Sequence, residues 1–245
     1  CRTVTLDTQY RMHPTLGDFV SRYFYEAYGD PKIRSDASTA QLTHSLPGYE
    51  GRVAKWLSIP LASGQEKRTA ARSWVRKEEA RLVATEISRL IELAPDLSFG
   101  VISFYGAQVA EIWRQLEALG VAIHDQGEFR IIPRLRFAAD QLGRQTERVQ
   151  IGTVDSFQGK EFDVVILSLT RANKHPVSAE DEQQLRRKYG FLTLVNRLCV
   201  AMSRQRRLLI VAGDEQMAID APPSLINLAP LKGFLDLSRA INASV

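Results

Sequence analysis

The sequence predicts an α/β fold in which a mainly parallel sheet is covered by helices on both faces, a three-layer sandwich. Two observations carry this expectation. Short runs of aliphatic and β-branched residues recur without polar alternation, as strands buried on both faces require. Between them lie segments whose apolar residues repeat at spacings of three and four, the period of an amphipathic helix. Strands alternating with such helices build parallel sheets.

Taken in order, the first apolar run is Val4 to Leu6. Gln9 to Pro14 follows, and Phe19, Val20 and Phe24 then mark a helix. Residues 60 to 75 are polar, with Ser63-Gly64-Gln65 ahead of Lys67 and Arg68, and read as an exposed loop. Leu82, Val83, Ile87, Leu90, Ile91 and Ala94 form a helical stripe that Pro95 ends. Val101 to Phe104 is the next strand. Val109, Ile112, Trp113, Leu116 and Leu119 form a second stripe, stopped by Gly120. Residues 121 to 148 read as an insertion, rich in Arg130, Arg134, Arg136, Arg144 and Arg148, with a helical piece over Arg134 to Leu142. Its basic face is either solvated or in contact with nucleic acid. Val149 to Val154, Val164 to Leu169 and Leu208 to Ala212 complete the strands, and 215 to 245 is a C-terminal tail. In open parallel sheets ligands bind beyond the carboxyl ends of the strands. The loops after Phe104, Val154, Leu169 and Ala212 are therefore the expected sites.

A length of 245 residues allows one α/β domain with insertions or two compact ones. With 44% hydrophobic and 24% charged residues, disorder, collagen and coiled coil are excluded. No apolar stretch approaches the roughly 18 residues of a membrane span, so no membrane partner is expected. No apolar h-region follows a basic n-region at the start, so no secretory signal is expected. Two cysteines, Cys1 and Cys199, build neither a disulfide framework nor a four-ligand zinc site. An intracellular, cytoplasmic location is the expectation. The chain opens on Cys1-Arg2-Thr3 and enters a dense motif at Gln9, as a piece of a longer protein would.

The net charge of +4 says less than its distribution. Between Gln184 and Arg207 lie Arg186, Arg187, Lys188, Arg197, Arg204, Arg206 and Arg207, with no acid among them. Such a run is either a solvated helix face or a surface that meets phosphate.

Several chemistries are absent. No G-x-x-x-x-G-K-[ST] occurs, so the chain has no P-loop of its own. Asp214-Glu215 after a strand resembles a magnesium-binding pair, but without a P-loop it reads as an acidic loop. His13, His44, His124 and His175 are scattered and have no G-x-S-x-G serine to pair with. No G-x-G-x-x-G supports a dinucleotide-binding enzyme.

Three segments are dense in chemistry-bearing residues. They are Gln9-Tyr10-Arg11-Met12-His13-Pro14, then Val154-Asp155-Ser156-Phe157-Gln158-Gly159-Lys160-Glu161-Phe162-Asp163 with Thr170-Arg171-Ala172-Asn173 beyond the next strand, and Asn196-Arg197-Leu198-Cys199-Val200-Ala201-Met202-Ser203-Arg204-Gln205-Arg206. Arginine supplies a planar, permanent charge suited to a γ-phosphate in phosphoryl transfer, and Arg11 and Arg204 are candidates; the lesser alternative for each is a structural ion pair. A carboxylate such as Glu161, beside a glycine that lets backbone approach, can accept hydrogen bonds from sugar hydroxyls. Thr153 and Ser156 flank Asp155 at a strand end, where hydroxyls and N–H groups can meet phosphates. Tyr105 and Arg171 fall at two other strand ends, where an aromatic ring can stack on a base. Trp56, Trp74 and Trp113 read as packing residues.

In this order and at these separations, the blocks resemble the second RecA-like lobe of superfamily 1 helicases. The nearest branch is that of the RNA-surveillance helicase and the Okazaki-fragment helicase-nuclease. Ile102 to Gln108 resembles that branch too, and the likeness runs from about Thr3 to Asp214. It implies one RecA-like lobe of the P-loop NTPase type over residues 1–245, lacking its own P-loop. It further implies that Arg11 and Arg204 are arginine fingers, and that Tyr10, Gln158, Gly159 and Glu161 contact ATP. Magnesium would be held by the missing N-terminal RecA-like lobe. Tyr105, Thr153, Ser156 and Arg171 would contact single-stranded DNA or RNA, with 5′-to-3′ movement. Two features depart from the pattern: Cys199 stands where an Asn is usual, and the 121–148 stretch is long. The alternative is a degenerate RecA-like module that grips nucleic acid without a motor.

Overall fold

Four of the short apolar runs and one further segment pair side by side in the computed structural model, which describes residues 7–139 and 145–240. The strands are β1 (Ala54–Ser58), β2 (Phe99–Ser103), β3 (Val149–Thr153), β4 (Phe162–Ser168) and β5 (Gln205–Gly213), in the spatial order β3-β2-β4-β5-β1. Every pairing is parallel. All carboxyl ends therefore share one edge, where Thr153, Ser103, Ser168 and Ala212 lie in register across neighbouring strands.

Side-chain alternation splits the strands between two cores even though the runs are uniformly apolar. Phe99, Val101, Val164, Ile166, Leu208 and Ile210 face one layer, built by α2 (Lys77–Leu93) and α3 (Gly106–Ala118). Ile102, Val165, Leu167, Leu209 and Val211 face the other. That layer contains α1 (Pro14–Phe24), α5 (Val195–Ala201) and α6 (Ala229–Ala240). The intervening α4 is Glu182–Tyr189. The result is the expected three-layer α/β sandwich, with β4 central and buried along its whole length.

The stops are those of the sequence. Pro14 sits in the first turn of α1, where its missing N–H costs nothing. Gly120, at φ +72°, turns the chain out of α3. α2 ends beneath Arg148, whose buried guanidinium donates to the carbonyls of Ile91, Ala94 (2.8 Å), Leu97 (3.1 Å) and Leu135 (3.1 Å). An arginine here satisfies carbonyls that the helix leaves open and complements its negative end.

Some expectations change. The edge strand β1 is not among the predicted runs, because Lys55 interrupts it and it is only half-buried. The helix expected over Arg134 to Leu142 is a single turn, Pro133–Arg136. It gives way to Phe137–Ala139, which pairs antiparallel with Gln145–Glu147. The rest of that span, with Arg144, lies outside the described residues, as does the Val4 to Leu6 run. The insertion is thus two small antiparallel ribbons, the other being Ala122–Asp125 with Glu128–Ile131. Its arginines among the described residues are not a free basic face. Arg130 pairs with Glu128 (2.9 Å), Arg134 with Glu92 (2.9 Å) and Arg136 with Glu147 (2.8 Å). Within the exposed 60–75 loop, Lys67–Arg68 pairs with Trp74–Val75. The segment beyond 215 is more than a tail. α6 buries Leu231, Phe234 and Leu235, and Phe234 meets Phe19 and Trp56 with ring centroids 5.6 and 6.4 Å apart. Among the described residues, no helix is long and apolar enough to cross a membrane.

Candidate functional site

The two sets of candidate residues occupy opposite ends of the sheet. Glu161 immediately precedes β4 and Arg204 immediately precedes β5, so both lie at the amino edge. Arg11 joins them because the N–H of His13 donates to the carbonyl of Arg206 at the start of β5 (2.8 Å). This placement differs from the carboxyl-edge rule, and the cause is simple: Glu161 and Arg204 end loops that lead into strands, and Arg11 is tied to the start of one of them.

At this edge the Nε of Arg11 meets Glu161 Oε1 at 2.7 Å, and its Nη1 donates to the Ser203 carbonyl at 3.2 Å. The ion pair is partly exposed, at 31% and 43% for the two side chains. Pairs in such settings contribute roughly 0–1 kcal/mol, so this one is exchangeable. Arg204 is held by the Val200 carbonyl (3.1 Å) and Ser203 Oγ (2.9 Å). Burial lowers its pKa, and the nearby positive charge of Arg11 lowers it further. Neighbouring guanidiniums repel unless an anion lies between them. Tyr10 is 70% exposed, so its ring is not part of the core. Gln158 and Gly159 are exposed on the loop before Glu161, and Gly159 adopts φ +80° with open space where a Cβ would be.

At the carboxyl edge Thr153 ends β3, and Ser156 follows in a turn where its Oγ donates to the Thr153 carbonyl (2.7 Å). Asp155 between them pairs with Arg197 of α5. Tyr105 and Arg171 follow β2 and β4, yet neither side chain is offered to solvent. Arg171 is 1% exposed, bound to Glu66 (2.8 Å) and to the Arg187 carbonyl, and stacked on Trp74 at 4.5 Å. Tyr105 is 4% exposed beneath Phe191, with ring centroids 5.2 Å apart, and its hydroxyl accepts from the Phe191 N–H (3.2 Å). Burial raises its pKa. Both residues build the wall of a cleft of about 910 Å³. Arg68, Arg72, Arg186, Arg187 and Phe191, all exposed, surround its mouth.

A buried polar network supports this wall. Glu79 in the first turn of α2 accepts from Ser168 Oγ (2.6 Å), the Thr170 N–H (2.7 Å) and Arg76 (3.3 Å). Full burial is the main influence on its carboxyl, and the pKa is raised despite these donors. The network holds Thr170 at φ +69°, a region that a β-branched residue avoids. That turn aims Arg171 into the wall.

One loop joins the two ends. Residues 154–161 cross β2 from the end of β3 to the start of β4, carrying Ser156 near one edge and Gln158 to Glu161 near the other. Its Phe157 is fully buried against the sheet. A Cβ on Gly100 would come within 2.9 Å of that ring, so glycine there lets the crossover lie close.

Sequence reasoning missed Phe191, Arg72 and Glu66. Phe191 had a signal, as an aromatic directly after a basic helix and a glycine. Glu66 had none, since its partner Arg171 is distant in the chain.

By its relatives this parallel α/β lobe is a helicase-type domain. The family model described as AAA domain matches residues 1–216, and the chain belongs to that family, within the superfamily 1 helicases. It is 31% identical over 224 residues to the DNA polymerase alpha-associated DNA helicase A of Saccharomyces cerevisiae, covering 85% of this chain and 27% of that protein. It is 26% identical to the Regulator of nonsense transcripts 1 homolog of Drosophila melanogaster (88% and 16%). The same identity holds for Helicase sen1 of Schizosaccharomyces pombe (85% and 10%). The chain spans about a quarter or less of the length of these relatives.

Proposed function

We propose that this chain is the second motor lobe of an ATP-dependent DNA or RNA helicase or translocase, working against a lobe that supplies the P-loop lysine and the magnesium-binding carboxylates. The observation that carries this reading is the amino-edge cluster, in which Arg11 and Arg204 come from loops joined by the His13–Arg206 hydrogen bond, with Glu161 at 2.7 Å from Arg11. These residues fit a nucleotide: two guanidiniums with residual donors, an exposed carboxylate for sugar hydroxyls and an exposed tyrosine for the base. ATP with magnesium would bring the phosphoryl group whose transfer drives the motor.

Arg11 and Arg204 would stabilise charge on the transferring group, a contribution of about 10³ to 10⁵ in rate for an arginine finger. The weak Arg11–Glu161 pair would part, releasing the guanidinium to phosphate and the carboxylate to ribose. The carboxyl-edge cleft, together with Thr153 and Ser156, would track a single strand in the 5′-to-3′ direction. Without the P-loop lobe this chain would not hydrolyse ATP.

In the full-length protein, Arg11→Ala and Arg204→Ala should each reduce ATP turnover about 10³-fold or more, with thermal melting unchanged. Near-normal turnover in both would overturn the motor reading. If single-strand binding persisted in the same proteins, the non-motor binding module would remain.

A further inference from the structure

The loop that carries Arg11 is shaped by one side chain. Gln9 Oε1 accepts from the backbone N–H groups of Arg11 and Met12, both at 2.8 Å. Its Nε2 donates to the Met12 carbonyl at 2.8 Å and to Ser35 Oγ at 2.7 Å. A carboxamide offers two acceptor positions and two N–H donors, and here all are used. The backbone from Tyr10 to Met12 cannot turn without breaking one of these bonds, so the direction of the Arg11 side chain depends on Gln9.

The amide has a purpose-shaped seat on α1. Gly17 is buried in that helix, and its backbone is not in the left-handed region. Its conformation therefore does not require glycine, and alanine is the better helix former at such a position. Clearance is the reason for glycine: a Cβ there would overlap Ser35 Oγ and come within 2.7 Å of Gln9 Nε2. The carboxamide and the missing side chain form a matched pair.

We propose that Gln9 is a positioning residue for Arg11, fixing the loop from which the guanidinium reaches phosphate, and that Gly17 is kept clear to admit it. The proposal rests on the reading of Arg11 as a finger. Gln9 itself touches no nucleotide; it acts through the backbone of residue 11.

The test is steady-state ATP hydrolysis by the full-length protein, with thermal melts and ATP affinity measured on the same samples. Displacement of a reacting group by about 1 Å costs roughly 100-fold in rate. Gln9→Ala should therefore lower kcat roughly 10- to 100-fold, with KM changed less than about 3-fold. Gln9→Glu retains the acceptor for both N–H groups but loses both donors and sets an oxygen against the Met12 carbonyl, so it should also turn over more slowly than wild type. Gly17→Ala should also lower kcat, because it displaces the amide, while the gain in helix propensity offsets part of the clash and keeps any fall in Tm small. A merely structural role would not lower kcat while leaving KM in place. The double variant Gln9→Ala/Arg11→Ala should be no slower than Arg11→Ala alone, since one residue acts through the other. If Gln9→Ala melts early, Gly17→Ala, which removes no hydrogen-bonding group, decides the matter. Wild-type kcat in Gly17→Ala, or a double variant slower than Arg11→Ala, overturns the proposal. Wild-type kcat in Arg11→Ala overturns instead the reading beneath it.

Discussion

Asp163 closes the second motif block, and its carboxylate is a tie at the amino edge. It accepts from the Ser98 N–H (3.0 Å) and Oγ (2.8 Å) and from Arg207 Nε (2.8 Å), joining the turn before β2 to the starts of β4 and β5. Burial alone would raise its pKa, but the Ser98 and Arg207 hydrogen bonds outweigh it and the net shift is downward. A carboxylate with a depressed folded-state pKa adds stability above its unfolded value, about 3.9, and loses it as pH falls through the folded value. Asp163→Asn should thus cost roughly 1–3 kcal/mol in urea denaturation at pH 7. The gap from wild type should narrow below about pH 4, and a gap constant down to pH 2 would remove the charge from the account. Arg204, two positions before Arg206, shows why single residues are only partly legible. Its place in a motif is visible in sequence, but its closeness to Arg11 depends on backbone contacts between distant loops.

Elements divide the same way. β2, β4 and β5 are legible because strands buried on both faces are written as largely apolar runs, and β3, an edge strand broken by Gln150, is legible from Val149 and Ile151. β1 escapes because an edge strand needs apolar residues on one side only, and its Ala54 and Trp56 alternate with Lys55 and Leu57. The insertion escapes because its arginines suggest a helix face, whereas acids on α2 and the ribbons pair with them. Arg148 is the instructive case. Read from composition it belongs to a basic surface, yet it is 4% exposed and bound to the carbonyls that end α2. Arg148→Met should keep the aliphatic packing and leave those carbonyls unpaired, at a cost of roughly 2–4 kcal/mol. Hydrogen exchange should then show the last turn of α2 opening first. Unchanged protection there would mean water replaces the guanidinium freely.

For the whole molecule, charge is the property most altered by folding. Much of the acid-free run from Gln184 to Arg207 is neutralised by acids from elsewhere: Arg186 by Glu182, Lys188 by Asp220, Arg197 by Asp155 and Arg207 by Asp163. What a strand would meet is the cleft mouth, with Arg68, Arg72 and Arg187. Each phosphate contact to a single strand contributes about −0.7 to the slope of log K against log salt. Arg72→Ala with Arg187→Ala should therefore flatten that slope by about 1.4, whereas Arg134→Ala in the insertion should leave it unchanged. Equal effects would return the grip to the whole basic surface. The crossover over β2 carries a further consequence. Its ends lie at opposite edges of a sheet whose central strand, at seven residues, is roughly 23 Å long. Its middle is clamped by Phe157 in close-packed surroundings that yield little. In the proposed motor a short segment pinned at its centre would work as a rocker. Pressure on Ser156 would be felt at Glu161, so grip on a strand and hold on a nucleotide would share one mechanical part, with its fulcrum at Phe157.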